Sequence, residues 1–180
     1  MSKIVAQLFV SVDGVVEAPE QWHFPYYDEQ MATAVSGQLD KADILLLGRR
    51  TYEVFAASWP ARGSEVPFAD RINSMPKLVA STTLTSLDWH NSTLIRGEVP
   101  VELASLKAEP GQHITVSGSL TLVRSLMRHD LLDELELLVH PIVLGAGDRL
   151  FEDDGERKPL QLVRSTTFPT GVLHLTYRPT

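Results

Sequence analysis

The sequence predicts one α/β domain built on a mostly parallel sheet, and three observations carry that reading. Strand-like and helix-like patterns alternate along all 180 residues, with no repeat and no low-complexity linker. The run Ile44-Leu45-Leu46-Leu47 is wholly apolar and stops at Gly48, the pattern of a central strand covered on both faces. The C-terminus carries two β-rich segments, residues 160–168 and 172–177, around the turn Pro169-Thr170-Gly171, which reads as an antiparallel hairpin. A chain of this length suits one domain and can bury a core without disulfide staples.

The elements follow in order. Residues 4–12 form a β-rich run that ends at the turn pair Asp13-Gly14. Residues 17–27, with Pro19 and Pro25 among aromatics, read as a loop. From Asp28 to near Lys41, Met31, Val35 and Leu39 recur every fourth residue and share one helical face. The apolar run 44–47 is the next strand, and a helix over about 50–57 starts directly after it. Lys77–Ala80 and residues 93–95 read as strands joined by a Thr/Ser-rich loop, and a short helix over 102–108 closes at Pro110-Gly111. Strand 114–117 runs through Gly118 into a helix over 119–129, whose Leu122, Val123 and Leu126 face inward, and 134–139 is a further strand.

Composition excludes several classes. With 16 Lys+Arg against 23 Asp+Glu the net charge is −7, which opposes nonspecific nucleic-acid binding, so an anionic ligand needs a local basic pocket. Without cysteine there is no disulfide, thiolate nucleophile, Cys-ligated zinc or Fe–S cluster, in keeping with a reducing cytosol. The N-terminus has no signal-peptide pattern and the longest apolar stretch falls far short of a membrane helix, so a cytoplasmic chain is expected, with the Asn91-Ser92-Thr93 sequon idle. The six histidines show no metal spacing, and no G-x-S-x-G elbow marks a hydrolase. Gly145-Ala146-Gly147-Asp148-Arg149-Leu150 lacks the third glycine of a dinucleotide fingerprint and reads as a turn; the acidic run at 152–156 reads as a solvated loop.

The informative local pattern is a strand–Gly–helix junction that occurs twice, at Leu47-Gly48-Arg49-Arg50-Thr51 and at Val116-Ser117-Gly118-Ser119-Leu120-Thr121. Ligands of open α/β sheets bind beyond the carboxyl ends of strands, where a helix N-terminus offers free N–H groups. Glycine lets a phosphate approach the backbone, Ser and Thr add hydroxyls, and Arg49 and Arg50 supply planar guanidinium forks. Two such sites, one rich in arginine, suit a dinucleotide with an extra phosphate. The other reading of both glycines is that they end strands or let helices pack closely.

These residues also carry a resemblance. Ser11-Val12-Asp13-Gly14, Leu46 through Glu53, Lys77 through Leu84, Val116 through Ser119, Leu131 through Leu135 and His140-Pro141-Ile142-Val143-Leu144-Gly145-Ala146-Gly147 appear in order. Together they resemble the dihydrofolate reductase-like family, in the branch typified by the C-terminal reductase domain of the riboflavin-biosynthesis deaminase–reductase. The resemblance implies a mixed sheet of about eight strands flanked by helices. It also implies NADPH as hydride donor to a nitrogen heterocycle, as in a 5-amino-6-(5-phosphoribosylamino)uracil reductase, and a homodimer, for which residues 137–144 are a candidate interface. Carried over by position, Gly48, Arg49, Arg50 and Thr51 match the segment for the 2′-phosphate and pyrophosphate, with Arg49 the 2′-phosphate candidate. Ser81 and Thr82 match a hydroxyl pair near the adenosine phosphate. Gly118, Ser119, Leu120 and Thr121 match the loop under the pyrophosphate, and Asp13, Gly14 and Val16 fall where the first loop passes the nicotinamide.

The chain departs from the pattern in three places. Dihydrofolate reductases carry Gly-Gly where this chain has Ser117-Gly118-Ser119. The general acid expected in a Trp-x-x-Pro-x-Asp context is matched by Asp28 with one extra residue between. The H-x-E and P-C-x-x-C deaminase module is absent, which restricts the chain to a reductase role. Asp28 is the proton-donor candidate if the aromatics around it raise its pKa, and is otherwise a first-turn carboxylate favoured by the helix dipole. Trp22, Phe24 and Tyr27 could stack on a flat substrate or serve as packing contacts; Glu53 is a further substrate-side candidate beside a helix-surface reading, and Trp59, before Pro60, is one that would rim the pocket. A pteridine-type or flavin- or deazaflavin-using reductase and a non-catalytic nucleotide-binding protein remain the alternatives.

Overall fold

A computed structural model describes residues 1–151 and 157–180; the acidic run read as a solvated loop lies outside them. Eight strands, β1 (Lys3–Ser11), β2 (Ile44–Gly48), β3 (Lys77–Ala80), β4 (Ser92–Ile95), β5 (His113–Ser117), β6 (Glu134–His140), β7 (Leu160–Thr167) and β8 (Leu173–Pro179), form one sheet in the order β4-β3-β2-β5-β1-β6-β8-β7. The first six in that order are parallel, and β8 pairs antiparallel with both β6 and β7. The expected mixed sheet and C-terminal hairpin are thus present. β2 reads Ile-Leu-Leu-Leu because it lies between two parallel strands with both faces covered.

The helices are α1 (Glu29–Lys41), α2 (Arg49–Ser58), α3 (Ala69–Ser74), α4 (Val99–Ala108) and α5 (Leu120–Arg128). One face of the sheet packs Ile4, Ala6, Leu8, Leu46, Ile114 and Val116 against Leu103 of α4 and Val123 and Leu126 of α5. The other packs Leu45, Leu47 and Val79 against Leu39 of α1, Tyr52 of α2 and Ile72 of α3. Each fully buried leucine or isoleucine contributes about 1.5–3 kcal/mol of transfer free energy. α3 is absent from the sequence reading because six residues, of which only Ala69 and Ile72 are buried, are too short to show a periodicity. Residues 17–27 are not featureless either: Pro19 and Pro25 sit at the starts of two single-turn 3₁₀ segments, Pro19–Gln21 and Phe24–Tyr26.

One charge is buried in the second core. Lys77 is 1% exposed, donates to the carbonyls of Asn73, Met75 and His90 at 2.9–3.2 Å, and lies 4.3 Å from the Trp89 ring centroid. Burial lowers its pKa to about 8. Among the described residues, no helix is long and apolar enough to cross a membrane.

Candidate active site

The parallel strands all end on one edge of the sheet, and the candidate residues fall along it in spatial order. Ala80 of β3 is level with Gly48 of β2, Gln7 of β1 with Ser117 of β5, and Ser11 of β1 with His140 of β6. The two strand–Gly–helix junctions lie at the ends of neighbouring strands, since β2 and β5 are paired.

They are joined into one structure by Ser119. Its Oγ accepts the Gly48 N–H at 2.7 Å and donates to Thr51 Oγ1 at 2.8 Å. Both glycines are needed for this approach: a Cβ on Gly48 would stand 3.1–3.2 Å from the Ser119 side chain, and one on Gly118 would stand 3.2–3.3 Å from Thr51. Gly118 and Ser119 have φ of +65° and +59°, so the serine holds a left-handed conformation in which L-residues are strained. The close packing that is the other reading of both glycines is thus present. The first turns of α2 and α5 receive no side-chain cap from Gly48 or Ser119, so two helix N-termini lie side by side with free N–H groups.

Arg49 and Arg50 are exposed at the start of α2. Arg49 Nη1 holds Glu53 of the next turn at 3.1 Å, which parks the guanidinium on its own helix; Thr51 is half-buried against Ser119. Next to them, after β3, Ser81 Oγ accepts the N–H groups of Thr83 and Leu84 at 3.2 and 3.0 Å, and Thr82 is exposed. Leu120 packs toward the core while Thr121 is exposed. Trp59 is at the far end of α2, a helix of ten residues or about 15 Å, with the Arg62 guanidinium 4.4 Å from its ring, so it is not brought to the junction.

Across β1, the loop after Ser11 is clasped to the loop after His140. The Asp13 carboxylate accepts the Leu144 N–H at 3.1 Å, the Gly145 N–H at 2.8 Å and the Ser11 hydroxyl at 2.6 Å. That hydroxyl, followed by the two amides, holds the Asp13 pKa at about 2. The Val16 and Leu150 amides bond to the Asp148 and Gly14 carbonyls, and Arg149 Nε bonds to the Asp13 carbonyl at 3.0 Å. Gly147, with φ +116°, lets Val15 pass: a Cβ there would meet Val15 Cγ1 at 2.7 Å. The Gly-Ala-Gly stretch is a turn, as read from the sequence, and the partner of the first loop.

At the start of α1, Asp28 Oδ1 accepts the Met31 N–H at 2.8 Å, an N-cap, while its Oδ2 is buried without a partner. Trp22 is buried, donates to the Glu17 carbonyl at 2.9 Å and meets His140 edge-on at 5.1 Å. Phe24 is 64% and Tyr27 40% exposed, so these two rings are open to solvent beside the cap. Sequence reasoning missed His23 and His140. His140 is fully buried, its Nδ1 lies 2.8 Å from the Leu138 carbonyl, and its Nε2 has no partner; His23 stacks on Phe9 and leaves Nδ1 unpartnered. Burial depresses both imidazole pKa values, with His140 adding to the effect at His23. A scan for metal spacing could not find them; the apolar strand around His140 and the aromatics around His23 were the available signal.

The fold and this edge define a dihydrofolate reductase-like α/β domain. The RibD C-terminal domain family matches residues 2–174, and the chain belongs to it. The uncharacterized protein YyaP of Bacillus subtilis (strain 168) is 29% identical over 97% of this chain and 94% of its own. Three solved structures share the fold. A Shewanella sp. PV-4 protein described as a riboflavin biosynthesis protein superposes at TM-score 0.79, 21% identity and 99% of both chains. The Thermotoga maritima diaminohydroxyphosphoribosylaminopyrimidine deaminase/5-amino-6-(5-phosphoribosylamino)uracil reductase does so at 0.69 and 12%, over 99% of this chain and 57% of its own. Enterococcus faecalis dihydrofolate reductase complexed with NADP(H) gives 0.64 and 15%, over 99% and 96%.

Proposed function

We propose that this chain is an NADPH-dependent reductase of a nitrogen heterocycle, of the riboflavin-reductase kind. The observation that carries it is the fused junction: two adjacent helix N-termini with free N–H groups, two arginines, and glycines whose missing Cβ atoms let the two junctions pack against each other. That donor set fits a pyrophosphate and a 2′-phosphate on a chain of net charge −7. The names of two structural neighbours, a reductase and an NADP(H) complex, support the same reading.

Bound there, NADPH supplies a hydride. The chain must hold the acceptor ring against the donor and manage one proton. Arg49 takes the 2′-phosphate by exchanging Glu53 for it, Ser81 and Thr82 border the adenosine side, and the clasp of Asp13 to Leu144 and Gly145 fixes the loop on the nicotinamide side. Phe24 and Tyr27 offer open rings to a flat heterocycle. Asp28, whose Oδ2 is buried without a partner while Oδ1 stays on the Met31 amide, is the side chain assigned to the proton transfer.

The test is a fluorescence titration with NADPH and NADH. NADPH binds more tightly, and Arg49→Ala removes about 10–100-fold of that preference, the worth of charge-assisted hydrogen bonds, leaving NADH unchanged. Equal affinity for the two cofactors, or indifference to Arg49→Ala, would refute the phosphate assignment.

A further inference from the structure

Two buried side-chain atoms without a partner, His23 Nδ1 and His140 Nε2, belong to rings that stand edge-on to each other with centroids 6.3 Å apart. The His140 Nδ1 lies 2.8 Å from the Leu138 carbonyl, which can only accept. Nδ1 therefore carries the ring proton, and in the neutral imidazole that burial favours Nε2 is a bare lone pair. Phe9, Trp22 and Tyr26 stand edge-on to that ring at 5.1–5.7 Å and offer the lone pair no donor. His23 completes the cage. It lies flat on Phe9, 4.8 Å away and inclined by 15°, with Phe24 tilted against it at 4.1 Å. A flat ring bedded on one aromatic side chain and flanked by another is the way planar ligands are held. The segment that carries His23 is lightly fastened: among the described residues, the hydrogen bonds of 18–27 all close within 17–27, so it can lift from the sheet at the loss of packing contacts alone.

We infer that the His23 imidazole stands in for a ligand ring: a flat nitrogen heterocycle bearing an N–H takes its place on Phe9 and donates that N–H to His140 Nε2. The inference rests on the reductase reading for the class of ring, and adds the group that selects it. The spacing fits. The 6.3 Å between the two ring centres lies between the about 5.5 Å that a ring N–H spans when it donates to an imidazole nitrogen and the about 7 Å of an exocyclic amino group. The chemistry fits as well. With His23 in place, two buried polar atoms go unpaired; a ring that brings a donor pairs one of them and sends the other, on His23, out to water. A ring of the same shape without an N–H leaves the His140 lone pair buried and unpaired, so it is rejected by the loss of that bond rather than by a clash.

Calorimetric titration of the protein without cofactor tests this, with 5,6-diaminouracil as the N–H-bearing probe. The wild type should bind it. His23→Ala vacates the place on Phe9 and should bind the probe about 5–10-fold more tightly, whereas His140→Leu removes the lone pair and should bind it about 5–10-fold more weakly, the worth of one hydrogen bond. His140→Gln restores an acceptor and should recover most of that loss. In the wild type, long-range proton–nitrogen NMR should show the His140 Nε2 resonance move on saturation with the probe, which a packing role for His140 would not produce. A wild type that does not bind the probe overturns the inference, and so does an unmoved Nε2, equal affinity of the wild type and His140→Leu, or weaker binding by His23→Ala. None of these readouts uses NADPH, so their failure is distinct from a failure of the cofactor titration.

Discussion

Replacing Ser119 by alanine and, separately, by glycine tests the fused junction, because the two changes share one loss and differ in one gain. Either removes the hydroxyl that takes the Gly48 N–H at 2.7 Å and reaches Thr51 at 2.8 Å. A part-buried N–H left without an acceptor costs about 1–3 kcal/mol, and the Thr51 bond adds about 0.5–1 kcal/mol because Thr51 can turn to solvent. The alanine variant should therefore lose about 2–3 kcal/mol. Glycine loses the same bonds but relieves the left-handed strain at φ +59°, about 1 kcal/mol. In a chain of this size 1 kcal/mol moves Tm by about 2–4 °C. Scanning calorimetry should place Ser119→Ala about 5–10 °C below the wild type and Ser119→Gly about 2–4 °C above the alanine variant. If alanine is the more stable of the two, the strain argument is wrong; if neither loses stability, Ser119 does not join the junctions.

Other positions give sharp outcomes as well. Asp28→Asn keeps an N-cap acceptor, so stability should change by less than about 0.5 kcal/mol while turnover collapses; Asp28→Ala should in addition lose about 1 kcal/mol, and full activity of the Asn variant would remove the proton-donor role. Glu53→Gln releases Arg49 and should tighten NADPH a few-fold without changing NADH, read by fluorescence; no change would mean that the Arg49–Glu53 pair does not compete with phosphate. Lys77 has a folded pKa of about 8 against 10.5 unfolded, so the folded state binds fewer protons between those values. Its cost is full below pH 8 and fades as the pH rises to 10.5, making stability climb with pH there by about 1–3 kcal/mol. Lys77→Met should abolish that rise in denaturant titrations. Asp13, depressed to about 2, keeps its clasp until the pH falls through that value; Asp13→Asn should speed amide exchange at Leu144 and Gly145 while leaving exchange in β6 unchanged.

Much of the fold was legible because the physics that makes it is local. The apolar run at 44–47, the i, i+4 spacing of Met31, Val35 and Leu39, and Gly48 and Gly118 each report an element by themselves. The helix at 69–74 was not legible, since two buried positions do not make a period. Strand order was not either: β5 inserts between β2 and β1, and no pattern along the chain states that pairing. The site divides in the same way. Glycine, arginine and hydroxyl residues at 48–51 and 118–121 could be read as two anion sites, but their union through Ser119 is a contact over 71 positions. Asp13 could be placed on the first loop, but not its partners, which come from 131 and 132 positions later. His140 looked like one histidine of six because what sets it apart is burial without a partner at Nε2.

In the proposed reading, the union of the two junctions also sets how an acidic chain would hold an anion. If each helix N-terminus acted alone, the partial charge of about half a unit at its end would be offset by the overall field of −7. Side by side, the two ends add at a point where Arg49 and Arg50 already stand, and Ser119 fixes their separation without spending the free amides of the first turns. Only the Gly48 N–H is consumed, and it is the one that faces the neighbouring junction. A dinucleotide needs its phosphates held at a set spacing more than it needs high total charge. The serine that departs from the dihydrofolate reductase Gly-Gly pattern holds a left-handed φ of its own and adds a tether that a glycine could not supply.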